Sequence, residues 1–419
     1  MRTYYYFKIF NNIKSEHEPN QLAYLELQSL FGQIEPIRNF VDFLVRPPLS
    51  YFLADPIRIQ DIITMELPYG RIQGYYGEKL NLGEVTNLVR RLAYTREIFL
   101  IFESQKHPKD LLRIIFPEGV INKNVQFFKN DNLNLFRFIT NQYFLEKSQY
   151  ISKISNTKKD VDKNIEILFS YLTNNFLKIP SSSTLYYEKK LADYFTIREE
   201  KSLYLNHYMH PYKGKFHPKM VRSLINYVLP NEKGIILDNF AGSGTSLLEA
   251  CYLGINSFGV EINPLSVLMA NVKCQSNSIN LPNLAEKRDF FIKKIREKIE
   301  NLEKNSTVSK IQQNRKFSKM YEEIDYISNY LGSIHGLNKQ EKLIEKIILA
   351  KDIIKEFNEK QLRDFFLLTL SGTISDILRR TKKSFILAFN NRITDLFLRI
   401  YLFQKMNEIL RINLGKGIT

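Results

Sequence analysis

The sequence predicts an α/β protein, built on part of a doubly wound parallel sheet with an α+β segment before it and a long helical region after it. Three observations carry this reading. The stretch "GIILDNFAGSGTSLLEACYLG" is an apolar strand, a glycine turn and a helix closed by a glycine stop. The N-terminal "TYYYFKIF" alternates as a strand does, and "NQLAYLELQSLFG" then places leucines at helical spacing. Towards the C-terminus, "LAEKRDFFIKKIREKIENLEK" and "ITDLFLRIYLFQKMNEIL" keep helical periodicity.

Taken in order, the elements define four segments. Residues 1–105 form an α+β N-terminal domain, in which "VTNLVRRLAYTREIFLIFE" is a helix passing into a strand. Residues 106–200 are an irregular and helical connector, rich in Asn and Lys, with "NTKKDVDKN" and "KIPSSSTL" as loops and the second as a linker. Residues 201–280 hold the glycine turn, and 281–419 are helical. No internal repeat is present.

Bulk properties narrow the function classes. The chain has 419 residues, 44% hydrophobic and 25% charged, a globular profile. No apolar run approaches ~18 residues, so no membrane span is expected. The N-terminus lacks a signal-peptide pattern, and Cys251 and Cys274 make neither a disulfide framework nor a zinc spacing. A cytoplasmic protein without a metal is expected, with Cys251 packed in the core on the apolar face of its helix. The net charge of +16 points to a polyanion. An AT-rich coding sequence produces a similar excess of Lys, so charge alone does not decide. Within the run "RRTKK", Arg379, Arg380, Lys382 and Lys383 are the candidate phosphate contacts.

The glycine turn carries the chemistry. "GIILDNF" is a continuous apolar run, expected to be a strand buried on both faces. Gly242 and Gly244 allow a tight turn and close approach of a ligand to the backbone. A second strand, "NSFGVEI", ends in Glu261, placed to accept from ribose hydroxyls. A dinucleotide site needs a third glycine where Leu247 stands, and Asp238 before the turn would repel a pyrophosphate. Asp238 suits an ammonium instead, which favours S-adenosylmethionine over NAD. No Walker loop occurs. His210 and His217 stand beside prolines without a Cys or acid cluster, so packing or a cofactor wall suits them better than a metal.

"LDNFAGSGTSLLEA…GINSFGVEINPLSVLMANVK" resembles motifs I and II of the S-adenosylmethionine-dependent DNA methyltransferases that act on exocyclic amines (adenine N6 or cytosine N4), and "HPYKGKFHPKMVRSLINYVL" is similar to their motif X. The resemblance covers roughly residues 207–275. It implies a Rossmann-like methyltransferase fold lacking its later strands, with site-specific DNA as partner and a place in restriction–modification. It assigns Asp238, Phe240, Ala241, Gly242, Ser243, Gly244 and Thr245 to the cofactor turn and Glu261 to the ribose. Ile262, Asn263 and Pro264 flank the adenine, and Phe216, His217 and Pro218 form the motif X wall. Asn239 departs from the proline of the family's "DPF".

Such enzymes hold the target amine with [D/N/S]-P-P-[Y/F/W], and no such motif follows Glu261. Upstream, "VRPPLSYF" has Arg46 and Leu49 in the acceptor and stacking positions. "DIITMELPYG" echoes the family's strand and tip, with Glu66, Pro68 and Tyr69 as catalytic candidates, but it lacks the first proline and would require a circularly permuted domain. The expectation is therefore a split or truncated enzyme, inactive as this chain alone, with a second polypeptide supplying the catalytic loop and the later strands. "INLGKGIT" stands where the next strand would begin. The N-terminal "RTYYYFKIF…EPNQLAYLELQSLFG" and "VRRLAYTREIF" also resemble archaeal-type tRNA guanine-N2 methyltransferases, which leaves tRNA as the alternative substrate. A non-catalytic subunit that binds S-adenosylmethionine and nucleic acid is the other alternative.

Overall fold

All seven residues of β1 (Thr3–Ile9) are buried. A strand covered on both faces needs apolar groups on both, and its run of aromatics supplies them. The computed structural model describes residues 3–10, 18–38, 40–52, 72–79, 85–103, 115, 133–143, 204–304, 337–379 and 384–415. They divide into two units, one of Met1–Leu205, Gly214–Glu261 and Lys405–Thr419, the other of Asn206–Lys213 and Ile262–Gln404. The first unit thus draws on both the 1–105 and the 201–280 segments.

In the first unit β1 is followed by α1 (Glu18–Leu30), β2 (Glu35–Ile37), α2 (Phe40–Leu44), α3 (Leu49–Phe52), β3 (Gly74–Lys79), α4 (Val85–Arg91), β4 (Thr95–Glu103) and β5 (Leu133–Ile139). The five strands form one antiparallel sheet in the order β2-β3-β1-β4-β5. On one face Tyr5, Phe7 and Ile9 pack with Leu27 of α1, with Phe31 just after that helix and with Leu88 of α4. On the other, Tyr6 lies 4.8 Å from Phe43 of α2, centroid to centroid. The "VRPPLSYF" stretch joins α2 to α3, with Arg46 paired to Glu35 and Leu49 fully buried, so neither of those two positions offers an acceptor or a ring to a base. The "DIITMELPYG" stretch and both expected loops of the 106–200 connector lie outside the described residues.

A second lobe of the same unit contains α5 (Pro218–Val228), β6 (Ile235–Asp238), α6 (Thr245–Leu253) and β7 (Asn256–Gly259). β6 and β7 pair in parallel, Leu237 opposite Phe258. α1 joins the lobes, because Ser223 Oγ of α5 donates to Leu22 O at 2.8 Å. Arg91 caps the C-terminus of α5, donating to Asn226 Oδ1 at 3.1 Å, Leu229 O at 2.7 Å and Pro230 O at 2.5 Å.

Glu26 sits at this joint, fully buried. Its oxygens accept from Ala93 N at 3.0 Å, Tyr94 N at 2.8 Å and Asn226 Nδ2 at 3.2 Å. Burial outweighs these donors and pushes the carboxyl up to about 7. A carboxyl raised on folding stabilises the fold at acid pH, and that contribution fades as pH climbs from the unfolded value near 4.5 through about 7. Unfolding free energy from urea titration should fall by about 3 kcal/mol between pH 4.5 and 8. Glu26→Gln, which cannot ionise, should remove that part of the slope.

The structure corrects four expectations. β6 is not buried on both faces: Ile235 and Leu237 are each 63% exposed, and so is Phe258 on β7. Only the opposite face is covered, where Ile236 meets Val221 and Ile225 of α5 and Ala250 and Leu253 of α6. Cys251 is exposed on α6, because the core side of that helix is taken by Leu248, Ala250 and Leu253. The connector includes an ordered strand, β5, which extends the sheet beyond residue 105. Ile412–Gly415 are helical, continuing the last helix of the chain rather than starting a strand.

The second unit is helical: α7 (Pro264–Gln275), α8 (Leu281–Lys304), α9 (Leu337–Lys355), α10 (Lys360–Arg379) and α11 (Phe385–Gly415, whose last residues fall in the first unit's span). Its core is aromatic, with Phe291 stacked on Phe389 at 4.4 Å and Phe366 beside both. Arg392 donates to Asp376 Oδ2 at 2.5 Å and to Met209 O at 2.9 Å. Among the described residues no helix is long and apolar enough to cross a membrane.

Candidate functional site

The candidate site begins at the tip of β6. Asp238 is half-buried there, and its Oδ1 accepts from Phe240 N at 3.1 Å, which turns the chain out of the strand. Val260 N donates to Asp238 O at 2.9 Å and Ala241 N to Val260 O at 3.0 Å, so the ladder to β7 continues into the turn. Gly242 (φ 50°) and Gly244 (φ 77°) take left-handed conformations. Gly244 is the N-cap of α6, and with no side chain there it makes no side-chain cap to the first turn. Ser243 and Thr245 are buried beside it.

Glu261 closes this arrangement. It follows the tip of β7, and its Oε2 accepts from Gly242 N at 2.8 Å. The two acids expected at the strand tips therefore both bond to the turn, Asp238 at its start and Glu261 at its middle. This acidic setting disfavours a phosphate and favours a cation. Phe240 projects from the turn, 90% exposed.

The structure supplies a reason for Leu247 that the sequence did not show. In a dinucleotide turn the third glycine lets helix and strand approach. Here the small residue is on the strand: a Cβ on Gly259 would lie 2.7 Å from Leu247 Cδ1 and 2.8 Å from Ala241 Cβ. Gly259→Ala should destabilise by about 1–3 kcal/mol in a urea melt through overpacking. Adding Leu247→Ala should recover part of that loss, a coupling that two unrelated sites would not give.

The motif X residues precede α5. His217 is its N-cap residue and Pro218 its first helical residue, an arrangement proline favours because its missing N–H has no helical partner there. Pro218 is buried, His217 half-buried and Phe216 exposed. His210 belongs to the second unit, where its ring nitrogens meet Pro211 O at 2.7 Å and Ser371 Oγ at 3.0 Å. Ile262, Asn263 and Pro264 open the longer segment of that unit: Ile262 is exposed, Asn263 Oδ1 caps α7 by accepting from Leu265 N at 2.9 Å, and Pro264 is the first helical residue. Of the basic run, α10 ends at Arg379; that side chain and Arg380, Lys382 and Lys383 lie outside the described residues, as do Glu66, Pro68 and Tyr69.

The chain is 45% identical over 73 residues to the type II methyltransferase M.MjaII of Methanocaldococcus jannaschii, covering 17% of this chain and 14% of that protein. It is 28% identical over 186 residues to the type II methyltransferase M.MvaI of Kocuria varians, covering 43% and 36%. It is 40% identical over 73 residues to the type II methyltransferase M.BsoBI of Geobacillus stearothermophilus, covering 17% and 14%. The chain thus spans well under half the length of these relatives. No solved structure gives a significant match. Residues 61–272, half of the chain, match the profile of a family described as DNA methylase. With that match spanning the strand, the glycine turn and the two acids, the chain belongs to the N6/N4 DNA methylase family.

Proposed function

We propose that this chain binds S-adenosylmethionine at the turn between β6 and α6 and directs methyl transfer to an exocyclic amine of DNA, as the modification component of a type II system. The observation that carries the reading is the extent of the family match. It opens at residue 61, inside "DIITMELPYG", and closes at residue 272, so one span holds both the loop candidate and the cofactor turn. That order supports a permuted arrangement in which Glu66–Tyr69 is the catalytic loop.

The residues at the turn suit the cofactor. When bound, S-adenosylmethionine supplies an electrophilic methyl on a sulfonium. Asp238 accepts from its ammonium, and the left-handed glycines keep side chains out of the ligand's path. A carboxylate has several acceptor positions, so Glu261 serves Gly242 N and a ribose hydroxyl together. Phe216 and Phe240 add apolar surface. On the loop, the Glu66 carboxylate and the Leu67 carbonyl accept from the target amine and turn its lone pair towards the methyl, while Tyr69 stacks on the flipped base. The nitrogen would gain the methyl as the carbon–sulfur bond breaks and S-adenosylhomocysteine leaves, and Glu66 would take the proton that the nitrogen loses.

A second reading keeps the cofactor site and assigns the loop to another polypeptide. It rests on the exposed face of Ile235, Leu237 and Phe258, since β6 and β7 are a two-stranded parallel pair among the described residues, which leaves apolar surface and a strand edge to be covered. Calorimetry with S-adenosylhomocysteine tests the part common to both. Binding is expected, and a chain that binds NAD or ATP in its place would refute it.

A further inference from the structure

Two buried charges occupy equivalent positions on the helices that begin at the two sides of the proposed site. α5 starts at Pro218, immediately after Phe216 and His217, and Arg222 is four residues further. α6 starts at Thr245, immediately after the glycine turn, and Glu249 is four residues further. Residues four apart share a helix face, so each charge lies one turn, about 6 Å, below the start of its helix. Arg222 Nε donates to Glu249 Oε2 at 2.6 Å, with the side chains 2% and 0% exposed. Tyr204 donates its hydroxyl to Glu249 Oε1 at 2.5 Å, and Arg222 Nη1 donates to Gln142 Oε1 at 3.1 Å. The neighbouring Val221 and Ile225 of α5 pack with Ala250 and Leu253 of α6.

Stability does not explain such a pair. Burying two ions costs several kcal/mol each, and apolar residues of similar volume often serve as well or better. What short charge-assisted bonds give is a fixed direction and length. A bond between matching depths on two helices fixes the offset of their starting points.

Resting on the cofactor reading above, we propose that Arg222 and Glu249 are positioning residues, which hold the Phe216–Pro218 wall at a set distance from the Gly242–Thr245 turn so that both grip S-adenosylmethionine. Tyr204 and Gln142 complete the clamp, each satisfying an atom that the pair leaves over.

The test is the double variant Arg222→Met/Glu249→Leu, which removes both charges together, with Arg222→Lys as the milder arm that keeps the charge and loses the fork. The double variant should melt within a few degrees of the wild type, while its S-adenosylhomocysteine affinity by calorimetry drops about 10-fold or more, because small misplacements at a site are costly. Arg222→Lys should fall in between. The KM for S-adenosylmethionine should rise in step, with kcat changing less. Wild-type affinity in either folded variant overturns the proposal. So does a loss that follows only the unfolded fraction, or a failure of both variants to fold, since the pair would then be a folding element. If the wild-type chain does not bind S-adenosylhomocysteine, the cofactor reading itself has failed.

Discussion

Gly242→Leu should abolish S-adenosylhomocysteine binding. Gly242 has φ 50°, a conformation that costs an L-residue about 1–2 kcal/mol, and its amide is the donor to Glu261. Leucine would strain the turn and also place a branched side chain where the ligand backbone contact belongs, so a loss of more than about 100-fold is expected. Asp238 separates charge from geometry at the same site. Asp238→Asn keeps an oxygen to accept from Phe240 N but loses the charge proposed to meet the cofactor's ammonium. A charged hydrogen bond is worth about 1.5–3 kcal/mol, which predicts about a 10- to 100-fold weaker Kd with little change in melting temperature. Equal affinities for wild type and Asp238→Asn would remove the ammonium assignment.

Tyr69→Ala and Glu66→Ala should each cut methyl transfer by about 100-fold while S-adenosylhomocysteine affinity stays at the wild-type value. Stacking on an aromatic ring is worth about 1–3 kcal/mol per base, and loss of an acceptor from a buried amine costs a similar amount. The loop and the cofactor turn are more than 150 positions apart in the chain (Tyr69 and Asp238), so binding and transfer are separable by mutation. Unchanged transfer in both variants would show that Glu66 and Tyr69 are not the catalytic loop. No transfer by the wild-type chain alone would move that loop to a second polypeptide, and co-expression with that partner should then restore activity.

Much of the site was legible because its chemistry is local. Asp238, the two glycines and Glu261 sit at the ends of strands whose hydrophobic runs announce them, and the bonds between them span one β-α-β unit. What was not legible depends on packing between distant segments. Leu247 reads as a defect in a glycine pattern until Gly259 is seen beneath it. Arg222 and Glu249 lie 27 positions apart on two helices, and only their burial against each other reveals the pair. The N-terminal sheet shows the same limit. β1 was recognisable from "TYYYFKI", but its central place between β3 and β4 is a long-range pairing that no local pattern encodes. β5 escaped notice because "LNLFRFI" lies among Asn- and Lys-rich residues that read as loop. Exposure of Leu237 could not be foreseen either, since a continuous apolar run looks the same whether one face or both are covered.

The most direct test is transfer of a labelled methyl from S-adenosylmethionine by the purified chain, offered duplex DNA and bulk tRNA side by side. The label should enter DNA, on adenine N6 or cytosine N4, and should be lost in Gly242→Leu and Tyr69→Ala. Label in tRNA with none in DNA would contradict the account, and so would a folded chain that binds S-adenosylhomocysteine yet methylates no DNA, alone or with a partner.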